Sequence, residues 1–310
     1  MATPMSAGSF LSALEKEGLV VVQEGDWRTH NRNSKGAWGP VHGVMIHHTV
    51  TKGTAATVRI VRDGYSGLPG PLCHGMIAKD GRVHLVGYGR ANHAGLGDPD
   101  VLAAVIAERA LPADNEATVD GNRHFYGFEC ENLGDGKDPW PTEQVEAIVR
   151  VVAALCRHHG WNERSALRHL DWQPGKVDPR GPGLDWADIQ ARIGKRLGSK
   201  PPTTPAPAPA RPVVDLSELV KAARSNPAAK GQPVTYSGVR TVEAALVDEG
   251  LLAKQYSDGH YGTTTVTAYS RWQLKLWPGA STKPGGAADG IPGKESLVKL
   301  GQRHGFDVRN

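Results

Sequence analysis

Two kinds of periodicity run along the first two thirds of the chain. Apolar residues alternate with polar ones, or run together, in segments typical of β-strands: 18–23, 41–49, 76–86 and 126–131. The segment 76–86 is interrupted by a Lys79-Asp80-Gly81 turn, which predicts two strands joined as a hairpin.

Helical spacing of apolar residues appears in two further places. After Thr142, acidic residues fill the first turn and Gly160 lies beyond the end, as expected for a helix. Its apolar face comprises Val145, Ile148, Val149, Val152 and Leu155. A second face is formed by Trp186, Ile189, Ile193 and Leu197. Strands mixed with helices in this order predict an α/β domain with a central mixed β-sheet flanked by helices.

A proline-rich segment divides the chain. Six of the twelve residues from Pro201 to Pro212 are proline, and alternating Pro-Ala favours an extended, semi-rigid spacer. The sequence therefore predicts a domain over 1–198, a Pro/Ala-rich linker over 199–213 and a small, mainly α-helical domain over 214–310. In this last domain, helices are predicted around 239–251 and 266–276, and a turn motif recurs at Asp258-Gly259 and Asp289-Gly290.

The charge of the chain says little about its partners, and its cysteines bear on the redox compartment. The net charge is +4, with 22 basic and 23 acidic residues in 1–198 against 12 and 9 in 214–310. This small C-terminal excess would suit an anionic surface, but no motif for nucleic-acid binding accompanies it. Cys73, Cys130 and Cys156 show neither the spacing of a disulfide framework nor that of a thiolate metal cluster, which favours a reducing compartment.

The N-terminal residues lack a basic region followed by a long apolar run, and no stretch reaches the length of a membrane span. We therefore expect synthesis in the cytoplasm without stable membrane association. Nothing in the sequence demands more than a monomer.

Histidines and carboxylates at strand ends and in one loop are candidates for chemistry. His47 and His48 end a predicted strand, where alternation lets only one of them face a given site. His169, Lys176 and Asp178 share a loop rich in proline and glycine, and such a loop is more often a site than a connector. The histidines and the aspartate among these residues could supply the three ligands of a catalytic metal.

Two carboxylates lie on one face of the strand around Gly127. Alternation places Glu129 and Glu131 on that face, with Phe128 and Cys130 on the other. Neighbouring carboxylates repel each other unless a cation, a proton or solvent separates them.

These motifs together resemble the zinc amidase family that includes phage lysozyme-amidases and animal peptidoglycan-recognition proteins. The resemblance covers residues 41–183 and rests on several motifs in the family's order. They are Ile46-His47-His48-Thr49, Cys73-His74-Gly75, Asn92-His93-Ala94, Gly127-Phe128-Glu129-Cys130-Glu131, and His169 followed by Lys176-Val177-Asp178.

Carried over residue by residue, the resemblance implies a Zn²⁺ ion bound by His47, His169 and Asp178. It implies Glu129 as the general base and Lys176 near the developing oxyanion, although the choice between Glu129 and Glu131 as base stays open. His93, His74 and Glu131 are predicted to contact substrate, whereas His48 is predicted to pack on the reverse face. One departure is Cys73, which stands where several relatives have a tyrosine thought to assist catalysis.

The C-terminal segment resembles a three-helix peptidoglycan-binding module through Asp258 to Gln273. The whole chain then resembles an endolysin of a phage that infects actinobacteria, which hydrolyses the bond between N-acetylmuramic acid and L-alanine, with peptidoglycan as its partner. Such an enzyme would stay in the host cytoplasm until released to the wall. The alternatives are a recognition protein that binds peptidoglycan without cutting it and, more weakly, a host autolysin or recycling amidase.

Overall fold

The computed structural model describes residues 2–199, 211–225, 234 and 236–310. The chain forms two compact units, Met1–Ala208 and Pro209–Asn310, called here the first and second units. Most of the segment predicted as a linker, 199–213, lies outside the described residues.

The first unit contains short strands and longer helices in alternation. Its described helices are α1 (Ala7–Lys16), α2 (Thr54–Asp63), α3 (Pro99–Ile106), α4 (Thr142–His159) and α5 (Trp186–Leu197). Its described strands are β1 (Val21–Gln23), β2 (Gly43–His48), β3 (Gly64–Tyr65), β4 (Leu68–Pro69), β5 (Gly75–Ile77), β6 (Val83–Leu85), β7 (Leu96–Gly97), β8 (Val119–Asp120), β9 (Phe125–Cys130) and β10 (Ala166–Arg168).

Six of these strands form one sheet in the order β1-β6-β5-β9-β2-β10. Only the β5–β6 hairpin is antiparallel, and the other neighbouring strands run parallel. The prediction of a mixed central sheet flanked by helices is confirmed. The two six-residue strands, β2 and β9, are neighbours inside the sheet and are almost wholly buried, as expected for parallel strands covered on both faces.

Helix α4 carries the predicted apolar face and ends at Gly160, which adopts a left-handed conformation with φ of 72°. Eleven of its residues are buried, and it packs against α1 and α5. Helix α1, which the sequence analysis left unassigned, contributes the fully buried Phe10 and Leu14 to the same core. Helix α1 is therefore part of the first unit's core.

The second unit is mainly helical, with a two-stranded parallel sheet. Its described elements are β11 (Val213–Asp215), α6 (Leu216–Arg224), α7 (Gly238–Asp248), α8 (Thr263–Leu276), α9 (Lys294–His304) and β12 (Asp307–Arg309). Its core includes the fully buried Tyr269 and Trp272 of α8. None of the described helices combines the length and apolar character needed to cross a membrane.

The repeated turn motifs of the second unit are held by buried polar side chains. Glu243 of α7 accepts hydrogen bonds from the Gly259 amide (2.7 Å) and the Thr265 hydroxyl (2.9 Å). Gln273 of α8 accepts from the Gly290 amide (2.8 Å) and donates to the Ile291 carbonyl (2.9 Å). In both motifs, a side chain of the preceding helix fixes the glycine of the Asp-Gly turn.

Candidate metal centre and active site

Strand pairing brings two histidines together at one edge of the sheet. His47 is the penultimate residue of β2, and His169 directly follows β10. These strands are parallel and Arg168 pairs with Ile46, so their carboxyl ends meet. The loop after His169 returns to the site because the Leu170 amide donates to the Asp178 carbonyl (2.8 Å).

Three ligand atoms converge at this edge. His47 Nδ1 lies 3.0 Å from His169 Nδ1 and 3.3 Å from Asp178 Oδ2, and His169 Nδ1 lies 3.0 Å from the same oxygen. A tetrahedral zinc ion with bonds of about 2.0–2.1 Å holds its ligand atoms about 3.3 Å apart. The spacing therefore fits zinc, and these residues form a metal-compatible group within the described part of the chain.

The charge states of these groups also suit a divalent cation. Burial, reinforced by nearby His169, lowers the pKa of His47 to about 4, so its imidazole is neutral near pH 7. Burial acts to raise the pKa of Asp178, but hydrogen bonds with His169 and His47 outweigh it and lower that pKa. Two imidazole nitrogens and one carboxylate are a donor set that zinc accepts, and other divalent ions accept it too.

Glu129 lies beside the ligand group. It pairs in register with His47 across β9 and β2, which places both side chains on the same face of the sheet. Burial and the charge of Asp178 raise its pKa to about 8, opposed by the charge of Lys176. Its Oε2 atom is buried without a hydrogen-bond partner among the described residues. A carboxyl group of this kind is available to exchange a proton with substrate or water.

Lys176 occupies the loop between His169 and Asp178 and is exposed to solvent. Its charge acts on both His47 and Glu129, where it lowers the pKa of each group. The side chain is thus within electrostatic reach of the ligand group, and its position near the developing oxyanion stays a prediction.

Glu131 is engaged away from the ligand group. Its two carboxylate oxygens accept from the Gly53 amide (2.8 Å) and the Thr54 hydroxyl (2.7 Å), at the beginning of α2. Both oxygens are therefore used in holding this helix end. This geometry favours Glu129 over Glu131 as the base, and a structural role for Glu131 over the predicted substrate contact.

His74 is completely buried, and backbone groups use both of its ring nitrogens. Nδ1 accepts from the Gly127 amide (2.9 Å), and Nε2 lies 2.8 Å from the Gly89 carbonyl. No polar atom of the ring is left for a substrate, which favours a structural role over the predicted contact. His93, also predicted to contact substrate, lies with its Nδ1 atom 3.1 Å from His47 Nε2.

Two neighbouring residues have roles that fit their surroundings. His48 Nδ1 accepts from the Arg180 amide (3.3 Å), and the ring packs against Gly134. Cys73 is fully buried, and burial raises the pKa of its thiol well above the ordinary value. The thiol therefore stays protonated and does not replace the phenol that several relatives place there.

Sequence reasoning missed Asn122. Its side-chain oxygen accepts from the amides of His93 (2.8 Å) and Ala94 (2.9 Å), which fixes the loop that carries His93. An asparagine in a short turn carries no signal for this role, because the partner amides lie 28 and 29 residues earlier in the chain.

A buried His-His-Asp group beside an unpartnered carboxyl, at the carboxyl ends of parallel strands, has the ligand set and the proton acceptor that a metal-dependent hydrolase requires. Residues 37–181 match the Amidase_2 family profile, described as N-acetylmuramoyl-L-alanine amidase. The matched segment contains His47, Glu129, His169 and Asp178. The resemblance to an amidase family, inferred from the motifs over 41–183, is thereby confirmed for this segment. Among curated proteins, none matches the chain.

Solved structures that are similar to this chain include the amidase LysC from Clostridium intestinale, at 18% identity and a TM-score of 0.39, covering 56% of this chain and 96% of that one. Drosophila PGRP-LB in complex with tracheal cytotoxin shows 16% identity and a TM-score of 0.37, with coverage of 56% and 95%. The amidase AmiD from E. coli shows 16% identity and a TM-score of 0.38, with coverage of 86% and 92%.

Proposed function

We propose that the protein is a zinc-dependent N-acetylmuramoyl-L-alanine amidase that acts on bacterial peptidoglycan. The observation that carries the proposal is the convergence of His47, His169 and Asp178 beside Glu129, within the segment that matches the amidase family. Zinc held by these three residues would supply a Lewis acid and would lower the pKa of water to about 7.

The remaining chemistry is assigned to residues of this chain. In its ionised form, which the nearby charge of Lys176 favours, Glu129 takes a proton from the attacking water as the water oxygen bonds to the lactyl carbonyl carbon. Lys176 stabilises the negative charge that develops on the carbonyl oxygen. The bond between that carbon and the L-alanine nitrogen then breaks, and the nitrogen receives the proton. The products are a muramic acid carboxylate and a stem peptide with a free amino terminus.

We further propose that the protein works as an endolysin. In this role the second unit binds the wall, and the enzyme remains in the host cytoplasm until it is released. Support comes from the resemblance of Asp258 to Gln273 to a wall-binding motif and from the division of the chain into two units.

The test uses purified protein and actinobacterial peptidoglycan, with a matched pair of variants. Asp178→Asn removes one predicted metal ligand. Asp171→Asn is the control, because Asp171 lies in the same loop but away from the ligand group. Its carboxylate accepts hydrogen bonds from the backbone amide (3.0 Å) and the guanidinium (2.7 Å) of Arg168. Released fragments are identified by mass spectrometry, with and without a chelator.

We expect stem peptides beginning in L-alanine from wild type and Asp171→Asn, lost on chelation and restored by zinc. Asp178→Asn should release at least about 100-fold less, since removal of a metal ligand disrupts the site. Sedimentation with the wall without any released peptide, under every metal condition, would instead favour the binding-only alternative. For the endolysin role, cells producing the protein should lyse only after their membrane is permeabilised.

A further inference from the structure

The ring of His93 contacts His47, a predicted metal ligand, on the side of its ring away from the other two ligands. Its Nδ1 atom lies 3.1 Å from His47 Nε2, and the two ring planes are nearly perpendicular, at 86°. His47 directs its other nitrogen, Nδ1, at His169 and Asp178. The exposed fraction of His93 is only 8%, which leaves little of the ring for a substrate.

The direction of this hydrogen bond follows from the role of His47. A neutral imidazole that offers the Nδ1 lone pair to a metal carries its proton on Nε2. His93 Nδ1, at 3.1 Å, is the group that faces this N–H and accepts from it. The proton of His93 then lies on Nε2, which has no hydrogen-bond partner among the described residues.

Several groups hold the His93 ring in this position. Asn122 accepts from the amides of both His93 and Ala94, and the Trp172 indole donates to the Ala94 carbonyl (3.0 Å). The ring lies against Gly127 of β9, where a Cβ atom would come within 2.5 Å of it. Glycine at this point of the Gly-x-Glu-x-Glu strand thus leaves room for the ring.

We propose that His93 is a positioning residue for the metal centre, which accepts the Nε2 proton of His47 and so fixes the orientation of that ligand. The inference rests on the proposed metal-dependent function and deepens it. Outer-sphere partners of metal-bound histidines typically contribute 10–100-fold to metal affinity. Loss of the His93 acceptor should therefore weaken zinc binding by that factor.

The test compares variants that differ in the acceptor. His93→Leu removes it, whereas His93→Asn keeps an oxygen at the position of Nδ1. His93→Gln carries its oxygen one bond further out. His84→Leu is the matched control, because His84 is also 8% exposed in the same sheet but binds Glu24 (2.8 Å) instead of a predicted ligand.

The readout is the zinc dissociation constant, measured on the folded, chelator-treated full-length protein by competition with a chromogenic chelator. KM and kcat are measured separately with zinc in excess. We expect about 10–100-fold weaker binding in His93→Leu, an intermediate loss in His93→Gln, and values within about threefold of wild type in His93→Asn and His84→Leu. If His93→Leu does not fold, the comparison of the Asn and Gln variants still tests the position of the acceptor.

Three results would overturn the inference. Unchanged zinc affinity with a raised KM in His93→Leu would assign His93 to substrate binding. Zinc affinity could also fall equally in His93→Leu and His93→Asn, or fall as much in the control His84→Leu. Either result would show that packing of the ring determines zinc affinity and that the acceptor does not. A wild-type protein that binds no zinc would refute the metal centre itself, which separates failure of the proposed function from failure of this inference alone.

Discussion

The buried polar side chains of the two units are used in different ways. In the first unit, three of the six buried side-chain atoms without hydrogen-bond partners among the described residues belong to the candidate metal centre or touch it: Glu129 Oε2, His93 Nε2 and His169 Nε2. The other three are Trp38 Nε1, His84 Nε2 and Gln144 Oε1, and the second unit has one such atom, Arg211 Nε. In the second unit, both Glu243 and Gln273 use their terminal atoms to hold the backbone of a turn.

The contrast that matters is between the group around His47, which leaves buried polar atoms unpaired, and the two Asp-Gly turns of the second unit, where the buried side chains are paired. Buried polar atoms that are left unpaired cost free energy, and proteins retain them mainly where chemistry needs them. Buried polar atoms that are fully paired stabilise one backbone conformation. Substitution should therefore reduce activity in the first case and the free energy of unfolding in the second.

The largest expected effect is on activity, for Glu129→Gln. Gln has nearly the shape of Glu but cannot accept a proton, and loss of a general base lowers kcat by about 10²–10⁴-fold. The thermal midpoint should change little, because no partner of the carboxyl is lost. Hydrolysis of a soluble muramyl peptide and thermal unfolding measure the two quantities.

Glu131→Gln provides the control for this prediction. Its carboxylate holds the beginning of α2 through Gly53 and Thr54, so the substitution should lower stability while most of the activity remains. The opposite pattern, with an active Glu129→Gln and an inactive Glu131→Gln, would assign the base to Glu131.

These two glutamates also show how far sequence reasoning reaches. Alternation places them on one face of a strand, but β9 ends at Cys130, and Glu131 turns to α2. The partners Gly53 and Thr54 are 78 and 77 residues away, so no local pattern contains this contact. Long periodic elements such as α4 were predictable because their own residues decide the helical face.

Elements whose identity depends on tertiary packing were harder to predict. Strand β10 has only three residues, too few to show alternation, yet it delivers His169 to the site. Helix α1 precedes the region of resemblance, and its Phe10 packs against Tyr88 and Tyr126 from distant strands and loops. The ligand set itself followed from the family resemblance, since spacing alone does not reveal that residues 47, 169 and 178 meet.

The second prediction concerns the scaffold, through Gln273→Leu. Leucine leaves the Gly290 amide and the Ile291 carbonyl without their partner, at a cost of about 1–3 kcal/mol for each buried group. We expect a loss of about 2–4 kcal/mol in the second unit. This loss of stability is measured as faster hydrogen exchange across residues 238–304 of the full chain.

Gln302→Leu is the control for this loss. Gln302 is exposed on α9, where substitution should change the free energy of unfolding by less than about 0.5 kcal/mol. Activity on a soluble muramyl peptide should be unchanged in both variants. Wild-type exchange rates in Gln273→Leu would contradict the contrast between the two units, because the hydrogen bonds of the Gln273 amide group would then contribute nothing to the stability of the turn.

The smallest expected effect is a pH dependence of stability that arises from Glu243. Burial raises its pKa to about 7 from an ordinary 4.5, aided by Asp258 and opposed by Arg240 and by the hydrogen bonds from Gly259 and Thr265. An acid with a raised folded-state pKa favours folding most when it is protonated. Its contribution is therefore fully present below about 4.5 and is lost as the pH rises to about 7.

Glu243→Gln should abolish this contribution, because its amide oxygen can still accept from Gly259 while its NH₂ group donates to the Thr265 hydroxyl. Relative to wild type, the variant should gain about 1–2 kcal/mol in the second unit between pH 5 and pH 8. Hydrogen exchange of residues 238–304, measured for both proteins at pH 5 and pH 8, gives this difference in stability. Glu249 and His304 also titrate, but both proteins contain them, so their effect cancels in the difference. Parallel pH profiles would mean that the paired carboxyl keeps an ordinary pKa, and the second unit would then be a scaffold without a pH response.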